Sequence, residues 1–367
     1  MAFLVSSSIE VFRREDLLIG KSNRSIQWER YPKTSQSPNA RNWLTFKADL
    51  GLADSSIEAY GRALENYFAF TETHDIESER ASKLELASYV RSLLTQRSPR
   101  STKDKRLFGL ANATIQQRLT AIRLYYDFLI EEGVRTINPV GRGRYTANRG
   151  FGGSGQRGLL PRYRKLPWIP AEEQWLRILD HTRKESARNR VMLAMAYDAG
   201  LRREELCSLE IPDIDSSARL IRIRAETTKN RGERIVPYSP ATSMLLGSYL
   251  QHRRSLGRSR GPLFLSESPR NRAHPISIWT WSKIVEGISS RSEVPELTTH
   301  TFRHLCLTDL ARAGWDIHEI ATFAGHRSLQ TTLLYIHLSG RELSRKLERG
   351  MAQLHAWRIR MLAGLPA

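Results

Sequence analysis

A chain of 367 residues is too long for one compact core, and with 40% hydrophobic residues it is too apolar for a disordered polymer, so two domains with separate cores are expected. Fifty-seven Lys and Arg against 38 Asp and Glu leave a formal charge of +19 and a pI near 10.3, which points to a polyanionic partner. Nucleic acid comes first and an anionic membrane surface second, and no apolar run is long enough to span a bilayer.

The opening MAFLVSSSIEVFRRED has no basic segment before its short apolar run and meets acidic residues soon after, so a cytoplasmic chain is expected rather than a secreted one. Residues 1–40 are polar and weakly patterned and are expected to form an N-terminal extension or arm. Periodicity begins at Trp43. After Ser55 and Ser56, the residues Ile57, Tyr60, Leu64, Tyr67 and Phe68 fall at spacings of three and four, which predicts a helix. A second helix is expected within Lys83 to Leu94, followed by a basic loop, QRSPRSTKDK, from Gln96. Asn112 or Thr114 opens a long helix with the stripe Ile115, Leu119, Ile122, Tyr126 and Leu129, and Gly133 ends it. Residues 41–140 therefore read as a small all-helical domain.

Residues 141–166 change character. GRGRYTANRGFGGSGQRGLLPRYRK carries seven glycines and no acid, and its cations are Arg142, Arg144, Arg149, Arg157, Arg162, Arg164 and Lys165. Such one-sided charge on a flexible segment fits a linker that lies along phosphates. A second domain starts near Leu166, where Pro170 leads into a helix whose Glu172 and Glu173 suit the positive end of its dipole. Further helices are expected over Arg188 to Tyr197 and Leu201 to Leu209. LIRIR (Leu220 to Arg224) and ERIVPY (Glu233 to Tyr238) then alternate as the arms of a hairpin, with Thr228 to Gly232 between them. Helices resume at Ser239 to Leu250 and Ile278 to Ile288, with Trp279 and Trp281 expected in the core, the alternative being a wedge on the DNA side. Cys207 and Cys306 each sit in an apolar pattern and are expected to be buried thiols, and no Cys/His spacing resembles a zinc site.

The densest chemistry lies between His300 and His337. Arg303 and His304 follow His300 by three and four residues, so on a helix all three share a face. Thr299 is the expected N-cap, Gly314 a stop, Asp316 the next cap, Gly325 the next stop and Ser328 the cap of a third helix. Tyr335 comes nine residues after His326. The breaks fold cationic groups and a tyrosine back towards one place. Beyond Tyr335, Leu343, Leu347, Met351, Leu354 and Met361 mark an amphipathic terminal helix.

Four blocks resemble the catalytic domain of tyrosine recombinases, the family of phage-type integrases, and they occur in that family's order. AGLRREELCSLEIPDID resembles the block of the first arginine, here Arg202, with Glu205 three later. TKNRGERIVPY resembles the hairpin of the catalytic lysine, here Lys229 with Arg231 as a rival cation. HTFRH resembles the His-x-x-Arg-His block and gives His300 and Arg303. GHRSLQTTLLYIH resembles the terminal block and gives His326 and the nucleophile Tyr335. TIQQRLTAIRLYYDFLIEEGVRTINP resembles the end of the family's helical core-binding domain. The resemblance implies a mainly α fold with a small β-hairpin: an all-helical, SAM-like core-binding domain over 41–140, the linker, an α+β catalytic domain over 167–340, and a helix over 341–367 exchanged between protomers. The two domains would clamp round DNA.

Without a metal, phosphodiester cleavage needs a nucleophile, neutralisation of the non-bridging oxygens and a proton for the leaving oxygen. Tyr335 supplies the first and leaves again reversibly, so no ATP is needed. Arg202 and Arg303 supply the second, with His326 as a further donor. By resemblance, Lys229 protonates the 5′ oxygen and His300 takes the tyrosine proton. Glu205 orients His300 or Arg202, and His304 supports the site. The implied partners are double-stranded DNA bearing specific sites, a homo-tetramer on two duplexes, and accessory recombinases or directionality factors. No cofactor, metal or membrane is expected, and the setting is the nucleoid in the cytoplasm. The expected activity is site-specific recombination through a Holliday junction, by the integrase or transposase of a mobile element. The rival readings are a type IB topoisomerase acting as a monomer and a catalytically silent DNA-binding regulator.

Overall fold

The computed structural model describes residues 26–96, 109–140, 160, 166–228, 231–256 and 260–338, with single positions between 349 and 363. The chain divides into two compact units, Met1–Arg164 and Lys165–Ala367.

The first unit is helical: α1 (Pro32–Gln36), α2 (Pro38–Asp49), α3 (Asp54–Thr73), α4 (Lys83–Thr95) and α5 (Asn112–Glu131). Ser37 caps α2 and Pro38 takes its first position, where a missing N–H costs nothing. Ser82 and Glu85 form a reciprocal capping box on α4. The stripe of α5 is buried at Ile115, Leu119, Ile122, Tyr126 and Leu129, in one cluster with Leu64, Tyr67 and Phe68 of α3, and Ile57 is buried as well. Tyr60 is half-buried and stacks on Trp43 at 5.6 Å. The hydroxyls buried with this aromatic core are paired: Tyr67 and Tyr126 Oη meet at 2.6 Å, Tyr126 Oη donates to the Ser78 carbonyl, and Tyr89 Oη donates to Asn66.

Packed structure reaches back before residue 41. Tyr31 and Thr34 are buried, and Glu65 of α3 accepts the backbone N–H groups of Lys33 and Thr34 and the Thr34 hydroxyl. That carboxylate caps the short α1 from outside, so residues 26–40 are joined to the helical unit rather than extended from it. Of the arm expected over residues 1–40, residues 1–25 lie outside the described residues, as does the basic loop after Gln96.

The second unit contains α6 (Glu172–Thr182), α7 (Ala187–Asp198), α8 (Arg203–Cys207), the strands β1 (Ile214–Asp215), β2 (Leu220–Ile223) and β3 (Arg234–Pro237), then α9 (Pro240–Ser255), α10 (Ile278–Arg291), α11 (Thr301–Arg312), α12 (Ile317–Ala324) and α13 (Leu329–Leu338). The expected hairpin gains the short strand β1, giving an antiparallel sheet in the order β1-β2-β3. Ile221 stands opposite Val236 and Ile223 opposite Arg234, so Arg234 lies on the inward face of the sheet. Trp281 is fully buried, whereas Trp279 is 71% exposed, because two positions along a helix point to nearly opposite sides. Helix α11 starts one residue later than Thr299 would set it. His300 holds the cap position, and the Thr298 N–H donates to Thr301 Oγ1 at 3.0 Å. Asp316 caps α12 and left-handed Gly325 ends it. Cys207 and Cys306 are free and buried. No helix among the described residues is long and apolar enough to cross a membrane.

A Cβ on Gly61 of α3 would stand 2.9 Å from the Tyr31 ring. Gly61→Ala is expected to lower stability by about 1–3 kcal/mol in urea unfolding. In a Tyr31→Ala background the same change should become neutral or stabilising by up to about 1 kcal/mol, because alanine is the better helix former. Equal effects in both backgrounds would show that Tyr31 does not rest on α3.

Candidate active site

The site is built round one buried carboxylate. Glu205, on α8, is 1% exposed. It accepts both ends of the Arg234 guanidinium, at 3.0 and 2.7 Å, as well as Arg202 Nη1 at 2.7 Å and the Arg202 backbone N–H at 2.9 Å. The backbone contact is local: Arg202 caps α8, and Glu205 is its third residue. Burial alone would raise the Glu205 pKa, but the hydrogen bonds and charge of Arg234, then those of Arg202, hold it at about 2. The carboxylate thus ties Arg202 to β3. Arg234 Nε in turn donates to the Phe323 carbonyl at 3.0 Å, and Arg202 Nη2 reaches the Gly325 carbonyl at 3.4 Å, so the end of α12 is tied in as well.

Arg303, on α11, is 3% exposed and donates to the carbonyls of Gly200 at 2.5 Å and Ala324 at 2.6 Å. Burial, and next the Arg202 charge, lower its pKa to about 10, which leaves it a cation at neutral pH. Gly200 has φ +55°, and a Cβ there would stand 3.1 Å from the Phe323 ring, so the carbonyl beside Arg303 rests on a position suited to glycine.

Two imidazoles flank Tyr335. The His326 ring is stacked on the Tyr335 ring, 5.9 Å between centroids and 9° from parallel. Arg303 Nη2 donates to His326 Nε2 at 3.0 Å, and because a guanidinium has no acceptor, that nitrogen is unprotonated. His326 Nδ1 therefore carries the hydrogen and gives it to Thr332 Oγ1 at 2.9 Å. Burial, then the charges of Arg303, Arg202 and Arg234, push the His326 pKa down to about 3. On the other side, His304 Nδ1 lies 3.0 Å from Tyr335 Oη, and burial followed by the neighbouring His300 lowers the His304 pKa to about 4. Tyr335 itself is 3% exposed. Burial raises its phenol pKa, and the Arg303 and Arg202 charges pull it part of the way back. His300 is exposed at the start of α11, its ring centroid 6.3 Å from that of His304.

Arg202 and Glu205 are thus bonded to each other, Arg303, His326, Tyr335 and His304 are linked through direct bonds and ring contacts, and the two groups meet at the main chain that ends α12, with His300 at the edge. Glu205 bonds Arg202 and Arg234, where the alternatives read from the sequence were Arg202 and His300. Arg231 is described: it is exposed with φ +51°, outside this set of bonds. Lys229 and the linker cations Arg142, Arg144, Arg149, Arg157, Arg162, Arg164 and Lys165 lie outside the described residues. Sequence reading missed Arg234 and Thr332. Alternation held the signal for the first, because Arg234 precedes the core residue Val236 by two in a strand and must share its face. Arg202 and Arg234 share one carboxylate, and Arg303 stands beside imidazoles held neutral with no carboxylate bonded to it, which leaves an excess of positive charge suited to an anion. Among the described residues no group of three or more His, Cys, Asp or Glu could hold a metal ion.

The depressed histidine pKa values carry a stability consequence. An unfolded chain protonates these rings near 6.5, and the fold resists protonation until about 4 for His304 and about 3 for His326. Their contribution is complete above pH 6.5 and is lost progressively as pH falls below it. The Glu205 contribution is also lost on acidification, but only from its ordinary 4.5 down to about 2. The thermal midpoint should therefore drop between pH 6.5 and 5, and a His304→Gln, His326→Gln double variant should show a shallower drop. Identical pH profiles for the two chains would contradict this electrostatic picture.

Two family models match the chain in order: the N-terminal SAM-like domain of phage integrases over residues 43–133, and the phage integrase family over residues 170–342. Tyrosine recombinase XerC of Thermodesulfovibrio yellowstonii is 27% identical over 307 residues, covering 81% of this chain and 90% of the relative. Tyrosine recombinase XerD of Oceanobacillus iheyensis is 26% identical over 302 residues, covering 80% and 91%. Among solved structures, the fold is similar to that of the XerH site-specific recombinase bound to a palindromic difH substrate in a post-cleavage complex. The TM-score is 0.63 at 19% identity, over 89% of this chain and 90% of that one. It is also similar to the Tn1549 transposon integrase in complex with circular intermediate DNA, with a TM-score of 0.58 at 15% identity, over 80% and 94%. With both family models matched in order, and with the arginines, histidines and tyrosine of the four blocks gathered in one unit, the chain belongs to the phage integrase family of tyrosine recombinases and is a DNA strand-transferase enzyme.

Proposed function

We propose that the protein is a site-specific recombinase that cuts and rejoins double-stranded DNA through a covalent 3′-phosphotyrosyl bond on Tyr335, passing through a Holliday junction. The observation that carries this reading is the chain of contacts that ties Arg202 and Arg303 to the rings on either side of the Tyr335 phenol. Tyr335 Oη attacks the phosphorus, and the bond to the 5′ oxygen breaks. Arg202 and Arg303 hold the non-bridging oxygens as negative charge gathers on them, in a setting where burial strengthens each contact. The hydrogen bonds described for the Arg202 side chain use two of its five N–H donors. Glu205 keeps that arginine in place without neutralising the site, because Arg234 balances its charge. A phosphate beside His326 would raise its pKa and favour the protonated ring, which can then donate. Lys229 is the proposed acid for the 5′ oxygen, with Arg231 the rival.

The assembly proposed is a homo-tetramer on two duplexes in the nucleoid, each protomer clamping DNA between residues 41–140 and 167–340 while the linker cations follow phosphates. The terminal residues 341–367 would dock on a neighbouring protomer, and accessory recombinases or directionality factors would complete the complex. The proposed setting is a mobile element, with this protein as its integrase or transposase. The first 40 residues, which the resemblance does not cover, and the basic segment from Gln96 to Lys105 motivate that choice. The relatives named XerC and XerD favour the alternative of a recombinase that works as they do.

On a nicked suicide substrate the native chain should form a covalent adduct in excess EDTA, visible on a denaturing gel. Tyr335→Phe should bind DNA yet form no adduct, with a rate loss beyond detection; an adduct with this variant would refute the assignment of Tyr335. Relaxation of supercoiled plasmid by monomers without any specific site would favour a topoisomerase, and absence of adduct from the native chain a silent regulator.

Adducts trapped in cells and sequenced should map to the ends of the DNA segment that carries this gene. Adducts confined to one chromosomal site remote from the gene would decide for the alternative setting.

A further inference from the structure

Of the two imidazoles beside the Tyr335 phenol, only one has a lone pair to offer it. His326 uses its Nε2 lone pair to accept from Arg303 and its Nδ1 hydrogen to bond Thr332. His304 faces the phenol directly, with Nδ1 at 3.0 Å from Oη, inside the range for proton transfer. It sits one turn along α11 from His300, and its ring centroid is 5.7 Å from that of Tyr335. His300 is exposed, whereas His304 is half-buried. A buried phenol must donate its hydrogen to some acceptor, and His304 Nδ1 accepts it when Nε2 carries the ring hydrogen.

We propose that His304, rather than His300, is the base that receives the Tyr335 proton during cleavage, an assignment that rests on the recombinase reading above. The Oη–H bond breaks as the Oη–P bond forms. The proton moves to His304 Nδ1, making an imidazolium, and the bond from phosphorus to the 5′ oxygen breaks. That oxygen takes a proton from the acid assigned to it, Lys229. On religation the steps reverse: the 5′ hydroxyl attacks, and the His304 imidazolium returns its proton to the departing phenolate. His304 is neutral at pH 7 and so ready to accept. The negative charge that develops on the phosphorane favours the imidazolium once it forms.

The test uses the full chain on the suicide substrate in single turnover, with tyrosine or a trifluorotyrosine at position 335. The fluorinated phenol ionises near neutral pH and has far less need of a base. His304→Asn keeps a side-chain hydrogen bond to Oη but cannot take up a proton, so it separates holding the phenol from deprotonating it. It should cleave about 10²–10⁴-fold more slowly than the native chain. Trifluorotyrosine should restore at least about tenfold of that loss, while leaving His300→Ala unimproved. His304→Ala is expected to behave in the same way. Should it not fold, as judged by its thermal midpoint, the asparagine variant carries the comparison. Cleavage by His304→Asn at the native rate, a slow variant that the fluorinated phenol does not speed, or recovery confined to His300→Ala would each overturn the assignment. In all three cases the native chain still forms its adduct; if it does not, the recombinase reading itself fails.

Discussion

The second unit depends on the sharing of the Glu205 carboxylate between Arg202 and Arg234. Taking such charges out of water costs several kcal/mol per ion, and their mutual attraction offsets this only where the geometry is good. Here the Arg234 contact is two-pronged, and the remaining oxygen positions are taken by Arg202 through side chain and backbone. The ion group is therefore poor evidence for added stability but good evidence for fixed placement. It joins α8, β3 and the last turn of α12, three elements distant in sequence, at the point where the first arginine of the site emerges. Removing one member would leave an uncompensated charge in the interior, a far larger penalty than replacing the group by apolar side chains of the same volume.

The second arginine is held by a different device. Besides His326, Arg303 bonds two main-chain carbonyls, that of Gly200 just past α7 and that of Ala324 at the end of α12. Helix ends expose carbonyls that have no partner within their own helix, and a guanidinium is a natural cap for them. Gly200, two residues after α7, and Gly325, directly after α12, each turn the chain through a left-handed conformation. One arginine is thus oriented by a carboxylate and the other by helix ends, so the two cations approach the same place without competing for one counter-ion.

Much of this was legible in the sequence. The 3.6-residue stripe of α5 is buried at every position it named, and the blocks singled out Arg202, Arg303, His326 and Tyr335, which lie together in the second unit. What was not legible has physical reasons. Arg234 reads as a solvent-facing charge until strand register turns it inwards. Residues 26–40 look polar although Tyr31 and Thr34 are buried, and the carboxylate that satisfies Thr34 lies about thirty residues further on. Trp279 and Trp281 look alike in a composition window, and only their angular separation on the helix distinguishes them. The resemblance gave the tyrosine proton to His300, whereas the hydrogen-bond partner of the phenol is His304, a difference that depends on how α13 packs across α11.

Thr332 and Tyr335 lie three residues apart on α13 and point to the same side of it. The first anchors His326 by its hydroxyl, and the second stacks on the His326 ring and touches His304. A single short helix therefore carries both the nucleophile and the fastener of a neighbouring imidazole. Any slide or rotation of α13 by a fraction of a turn would unfasten His326 as it withdraws the phenol, and so would loosen the Arg303 contact beyond it. The contacts of Thr332 and Tyr335 therefore couple the placement of the phenol to that of the His326 ring. Partial assemblies in which the tyrosine is away but the imidazole remains aligned are disfavoured by the covalent spacing of the helix itself.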